Sequence, residues 1–317
     1  MVDICLLGCG GSMPMPNRNL SSVLINYEGR KILFDCGEGT QVSMKQLGWG
    51  FKSIDIICIT HGHGDHVIGL PGLLSTIGNS DRTEPLIIVG PEGIKEIVNG
   101  LRVVAKYLPY EVEVIEMPNE LNFDIVQGVI KLQQSIEKNS SLTIKTLVVD
   151  HSSPCVGYNI LFKRRRKFSV EKAEKNNVPK ILWSKLQREE KVKYDGKEYS
   201  CELVLGDYRP GIKISIITDT RPIESIAQFI EKSNLFICEG TYGDDNDIEK
   251  AIKYKHMTFR EAATLASEGE VEELLLTHFS PAMVEPKMYI NNAKGVYDNV
   301  IIGEDRIIKK LIFKDGC

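Results

Sequence analysis

Short apolar runs broken by turn residues fill the first 90 residues of the chain. DICLLG, SSVLINYEG, KILFDCG, IDIICIT and PLIIVG are short apolar runs, most of them with several β-branched or aromatic residues, set beside glycine, aspartate or another turn signal, which predicts strands. Among them, GEGTQVSMKQLG and PEGIKEIVNGLRVVAKYL repeat their apolar residues at spacings of three and four, which predicts helices. Further strands are expected at about 122–136, 143–149 and 155–163, followed by a stretch of weaker patterning. The strand and helix rhythm then resumes with IKISIITDT, a helix over 223–233, the strand LFICEG, a helix over 258–268, the strand EELLLTH and a helix over 284–297. There is no repeat of fixed period and no low-complexity tract. The pattern predicts a single α/β domain over 1–317, two facing sheets with helices outside, carrying an insertion at about 163–205.

Composition is that of a globular chain: 317 residues, 42% hydrophobic and 26% charged, with a mean hydropathy of −0.13. No run of 18 apolar residues occurs, and MVDICLLGCGGSMPMP has neither the charged start nor the long apolar stretch of a secretion signal. A cytoplasmic chain with no membrane partner is expected. The eight cysteines form no CxxC pair, and several lie inside apolar runs, as small buried hydrophobes do in a reducing compartment. Charge adds a feature that the total of −4 hides. Residues 163–197 hold 13 Lys and Arg against 5 Asp and Glu, a local +8, so the remainder of the chain carries −12. A basic segment on an acidic body predicts an anionic partner met at one place.

The candidate chemistry sits where IDIICIT ends. Six histidines in 317 residues give about 0.1 per six-residue window, yet His61-Gly62-His63-Gly64-Asp65-His66 holds three. IDIICIT is apolar throughout, as a central strand is, and loops at strand ends are where α/β proteins build sites. Side chains two apart in an extended backbone face the same way, so His61 and His63 can reach one ion while Asp65 and His66, one step around, reach another. Gly62 and Gly64 are expected to give the backbone room to turn. Imidazole and carboxylate without thiolate favour zinc, with Mn2+ or Fe2+ compatible. One cluster cannot fill two coordination shells, and three further strand ends offer the missing donors: Asp150-His151 after IKTLVV, Asp219 at the end of IKISIITDT, and His278 at the end of EELLLTH. Asp65, both a donor and a carboxylate, is placed to orient an attacking water as a base. His256 precedes Thr258 and Glu261, which have capping-box spacing, so it is expected in a turn just ahead of a helix. Asp35, in ILFDCGEGT, is read as a carboxylate that holds the histidine loop in register.

THGHGDHVIGLPGLL matches the HxHxDH signature of the metallo-β-lactamase superfamily, whose fold is an αββα sandwich. Together with GSMPMPNRNLSSVLI, ILFDCGEGTQ, DHSSPCVGYNI, ITDTRP, HMTFREAATLA and LLTHFS, in that order, the chain resembles the ribonuclease Z family, zinc endoribonucleases that remove the 3′ trailer from precursor tRNA. The resemblance implies two zinc ions per chain, the first held by His61, His63, His151 and Asp219, the second by Asp65, His66, the bridging Asp219 and His278. It also implies that His256 assists the leaving group, that precursor tRNA is the partner, and that the chain is a homodimer. The basic insertion corresponds to the family's tRNA-gripping arm, with Arg164, Arg165 and Arg166 as candidate phosphate contacts. The chain departs from the family in two places: the arm lacks a Gly-Pro pair at its tip, and Ala282 and Met283 stand where the family tends to have an Arg-Tyr pair. Two other readings remain open at this point, a phosphodiesterase of the same superfamily acting on small substrates such as cyclic nucleotides, and a nucleic-acid-binding protein with structural metals.

Overall fold

The computed structural model describes residues 1–133 and 140–314. In it the early β-prone runs form a single mixed sheet of β1 (Val2–Gly8), β2 (Ser22–Tyr27), β3 (Arg30–Phe34), β4 (Ile54–Cys58), β5 (Leu86–Gly90) and β6 (Val112–Glu116). The second sheet takes β7 (Glu120–Val126), β8 (Val129–Leu132), β9 (Leu142–Val148) and β10 (Val156–Phe162). The insertion contributes a separate hairpin, β11 (Lys191–Tyr194) and β12 (Lys197–Ser200). The second sheet then resumes with β13 (Ile212–Ile217), β14 (Leu235–Glu239), β15 (Leu274–Thr277) and β16 (Val300–Ile302), and β17 (Ile307–Leu311) returns to pair with β1. The spatial orders are β17-β1-β2-β3-β4-β5-β6 and β16-β15-β14-β13-β10-β9-β7-β8.

Strand periodicity explains why these runs are apolar on both faces. On β1, Val2, Ile4 and Leu6 point into the core between the sheets with Tyr158, Ile160, Ile214 and Ile237. Cys5 and Leu7, the alternate positions, pack under an outer helical layer with Leu24, Leu33, Leu70 and Leu73. That layer is α1 (Thr40–Leu47), α2 (Gly64–Val67), α3 (Leu70–Gly78) and α4 (Ile94–Leu101). The insertion carries α5 (Val170–Lys175) and α6 (Trp183–Leu186). Outside the second sheet lie α7 (Glu224–Ile230), α8 (Ile248–Tyr254), α9 (Phe259–Glu268) and α10 (Ile290–Lys294), with α9 packed on β14 and β15.

Several expectations change in detail. The strand expected over 122–136 is a hairpin, because Gln127 and Gly128 both take positive φ, 52° and 75°, and make the two-residue reversal between β7 and β8; residues 134–136, like Cys317, lie outside the described residues. The helix expected through residue 108 ends at Leu101 and tightens into a 3-10 turn, Arg102–Ala105, ahead of Pro109. The helix expected over 284–297 is a 3-10 turn, Pro286–Tyr289, followed by α10. The insertion is better packed than its patterning promised: Ala173, Val178, Leu182, Leu186, Val192 and Val204 form a small core of their own. No described helix is long and apolar enough to cross a membrane.

Candidate metal centre and active site

β13, β14 and β15 run parallel, so their carboxyl ends open on one side of the sandwich and deliver Asp219, Glu239 and His278 to it. β4 ends on the same side, where His61 bridges to Cys155 and brings the HxHxDH loop beside His151. Asp35, Asp219 and His278 follow the ends of β3, β13 and β15 with φ of 56°, 51° and 58°. Each takes a left-handed conformation that costs a non-glycine residue energy and turns its side chain toward the centre.

Six of the eight candidate residues, His63, Asp65, His151, Asp219, His256 and His278, line one cleft of about 330 Å3, and His61 and His66 are buried against His63 and His278. His61 Nε2 stands 3.0 Å from His63 Nδ1, and His151 Nε2 stands 3.3 Å from that same atom. On the other side His66 Nε2 and His278 Nε2 are 3.2 Å apart, with Asp65 Oδ2 at 3.5 and 3.4 Å from them. Asp219 lies between the two groups. Its Oδ2 faces His61 and His151 at 3.7 and 3.9 Å, while its Oδ1 faces His66 and His278 at 3.5 and 3.2 Å.

These donors fit metal ions on three counts. Two nitrogens bound tetrahedrally to zinc at 2.0–2.1 Å lie about 3.3 Å apart, the spacing seen in both groups. Asp219 Oδ1 is buried and accepts no hydrogen bond, a costly arrangement without a cation. The outward-facing nitrogen of four rings is also already engaged. His61 Nδ1 lies 3.1 Å from Thr60 Oγ1, His66 Nδ1 lies 2.7 Å from Asp35 Oδ2, His151 Nδ1 donates to Lys255 O at 3.3 Å, and His278 Nδ1 lies 3.1 Å from Thr241 Oγ1. Each therefore turns Nε2 inward. Asp35 also accepts from the Thr60 amide at 2.8 Å, the bracing role expected of it.

Electrostatics point the same way. Burial, helped by His66, pushes His61 well below its ordinary value and keeps it neutral, as a ligand must be. Burial would raise Asp65 and Asp219, but the imidazoles around them hold both carboxyls well below the usual range. Burial would lower His66, but Asp219 and Asp35 push it well above its ordinary value, the mark of a field that favours positive charge. Asp65 Oδ2 also accepts from the Ser12 amide at 2.7 Å. The loop carrying Ser12 approaches so closely that a Cβ on Gly11 would meet the His278 ring at 2.4 Å.

The glycines of the signature act otherwise than expected. Neither Gly62 nor Gly64 takes positive φ; a Cβ on Gly62 would meet only the tip of the half-buried Ile97 side chain, which can move aside, and at Gly64 the space is open.

His256 occupies the turn between α8 and α9, and Thr258 and Glu261 form the capping box. Its ring stacks on that of His278 at 5.5 Å between centroids, so it borders the centre. A residue not singled out from the sequence orients it. Glu239, fully buried at the end of β14, has Oε1 3.2 Å from His256 Nδ1, and accepts from Thr220 N at 2.6 Å, Thr241 Oγ1 at 2.6 Å and Met257 N at 3.1 Å. Burial alone would lower His256, but Glu239 outweighs it and raises the imidazolium to about 9. The missed signal was the one used for Asp219 and His278, a charged residue ending an apolar strand, LFICEG.

The three arginines lie elsewhere, at the base of the insertion. Phe162 pairs with Ile212, so both ends of the insertion leave from the ends of β10 and β13 opposite Asp219. Arg164 donates to Lys314 O and covers the Phe313 ring, Arg165 lies 3.6 Å from Asp124, and Arg166 binds Glu202 and the carbonyls of Gly206 and Leu205. Arg166 thus ties the insertion's two ends together.

Known proteins resemble this arrangement. A family model described as Anti-Pycsar protein Apyc1 matches residues 2–189. A Clostridium botulinum protein named ribonuclease Z is 61% identical over 316 residues, 99% of this chain and 100% of its own. Among solved structures, the metallo-β-lactamase fold protein YhfI from Bacillus subtilis superposes with a TM-score of 0.67 at 19% identity, covering 98% of this chain and 100% of that one. The short form of human tRNase Z gives 0.66 at 24%, covering 97% and 98%. Through residues 2–189 the chain belongs with the family which that model describes, and over its whole length it belongs to the ribonuclease Z family, with the metallo-β-lactamase fold.

Proposed function

We infer that the chain is the endoribonuclease that removes the 3′ trailer from precursor tRNA, working with two divalent ions, zinc first among them. The observation that carries the two-ion reading is the placement of Asp219, with one oxygen toward His61 and His151 and the other toward His66 and His278. Bound there, the ions would neutralise the oxygens of a phosphodiester and acidify water at the centre. His61, His63, His151 and Asp219 would hold one, and Asp65, His66, Asp219 and His278 the other. Asp65, fixed by the Ser12 amide, orients the attacking water. His256, fixed by Glu239, donates a proton to the departing oxygen.

The basic insertion is the arm that holds the RNA, and its placement supports a homodimer. Its root lies about 20 Å from Asp219 at the rise of a strand, so an arm rooted at the end opposite its own cleft serves the cleft of a second copy. The exposed apolar side chains Val42, Ile68, Val103, Val104 and Tyr107, on the helical side of the first sheet, are the surface we assign to that contact. A cytoplasmic location fits the seven described cysteines, all free thiols and six of them buried.

Elemental analysis tests the centre. The purified chain is expected to hold two divalent ions, and Asp219→Asn to lose both bound metal and RNA cleavage. A single ion, retained by that variant, contradicts the reading.

A further inference from the structure

We propose that Tyr254, which lines the cleft together with Tyr242, stacks on the nucleobase that belongs to the departing oxygen, and so positions the scissile phosphate. The inference rests on the ribonuclease reading above. Imidazoles aside, these two tyrosines are the aromatic residues among those described as lining the cleft; Ser12, Ser152 and Ser280 also line it and offer no flat face. Tyr254 is 52% exposed at its position on the rim. It is the last residue of α8, two residues before His256, so a ring resting on it lies next to the group that protonates the departing oxygen.

The segment bearing it is anchored on several sides. Lys255 takes a left-handed conformation with φ of 59°, binds Asp150 at 2.7 Å through its ammonium, and accepts a hydrogen bond from His151 through its carbonyl. Tyr242 is tied to the same turn, since its amide donates to Met257 O at 3.2 Å and its carbonyl accepts from Phe259 N at 2.9 Å. The Lys253 ammonium lies over one face of the Tyr254 ring, 5.1 Å from its centroid, so the base stacks on the other face with a cation close to its phosphate. A flat hydrophobic face, an anchored mount and a cation beside it are what a single-stranded nucleotide requires, because every base has a face to stack and every link carries a charge.

The test is a cycle of two perturbations on the full chain: Tyr254→Ala, and an RNA substrate made abasic at the nucleotide on the departing-oxygen side. Each alone is expected to raise KM by roughly tenfold to a hundredfold, the range for losing one stacked base, with a smaller change in kcat. Combined, they should cost no more than either alone, since both remove the same contact, and Tyr254→Phe should retain the wild-type KM. If Tyr254→Ala raises KM equally for intact and abasic RNA, the residue acts on the fold of the cleft and the stacking proposal is overturned. It is overturned as well if Tyr254→Ala leaves KM unchanged while the wild type cuts RNA. A wild-type chain that cuts no RNA at all brings down the ribonuclease reading first, and this inference with it.

Discussion

Replacing Glu239 with glutamine keeps the shape of the side chain and removes its charge. In the wild type the buried carboxylate serves four partners, the amides of Thr220 and Met257, the Thr241 hydroxyl and His256. An amide group has one oxygen to offer and must turn its NH2 toward one pair of these partners, so a backbone N–H there faces a donor, and if the NH2 takes the Oε1 place His256 loses its acceptor. A hydrogen bond to a charged group contributes about 1.5–3 kcal/mol, and losing the one that fixes His256 should lower kcat on RNA by roughly 10- to 150-fold. Deleting the imidazole itself with His256→Ala should cost more, about 10² to 10⁴. The sign of the pH effect follows from the charge. Glu239 raises the His256 imidazolium to about 9, and the proton-donating form exists below that value. Without the carboxylate the value falls, so the alkaline limb of the kcat profile should move to lower pH. The assay is steady-state cleavage of RNA beside hydrolysis of a phosphodiester with a good leaving group, with metal content and thermal unfolding measured in parallel. A loss equal on both substrates, or a kcat within twofold of wild type with the limb unmoved, would refute the view that Glu239 acts through a leaving-group donor.

Two further outcomes concern the arm. Because Arg166 binds the base of the insertion, a cleaner charge test is Arg165, Lys185 and Arg188 replaced together by glutamine; all three are exposed. The slope of log affinity for RNA against log salt should flatten by about 2–3, at 0.7–0.9 per phosphate contact, and an unchanged slope would move the RNA contact away from the arm. Leu186→Ala opens a cavity in the arm's own core and should destabilise that unit by about 2–5 kcal/mol, seen as faster proteolysis within 163–211; protection equal to wild type would show that the arm does not depend on this core.

The grouping of the candidate donors was legible in the sequence because they are rare residues set against apolar strands. His61, His63, His66, His151, Asp219 and His278 each follow a run that could be read as a buried strand, and parallel strands bring their ends together. Glu239 follows the same rule, yet glutamates are common, and its partner His256 lies 17 residues away across α8, a contact that only the folded chain creates. The hairpin at Gln127-Gly128 was hidden by a residue that seldom takes positive φ. The arm's charge drew attention from its apolar residues, which form a core too small to dominate the local pattern.

The most direct test is to incubate the purified, metal-loaded chain with a precursor tRNA carrying a 3′ trailer and to map the product ends. The account predicts one principal cut at the 3′ side of the tRNA body with release of the trailer, and loss of that cut in Asp219→Asn. An intact precursor, under conditions where the same preparation hydrolyses a small cyclic phosphodiester, would contradict it.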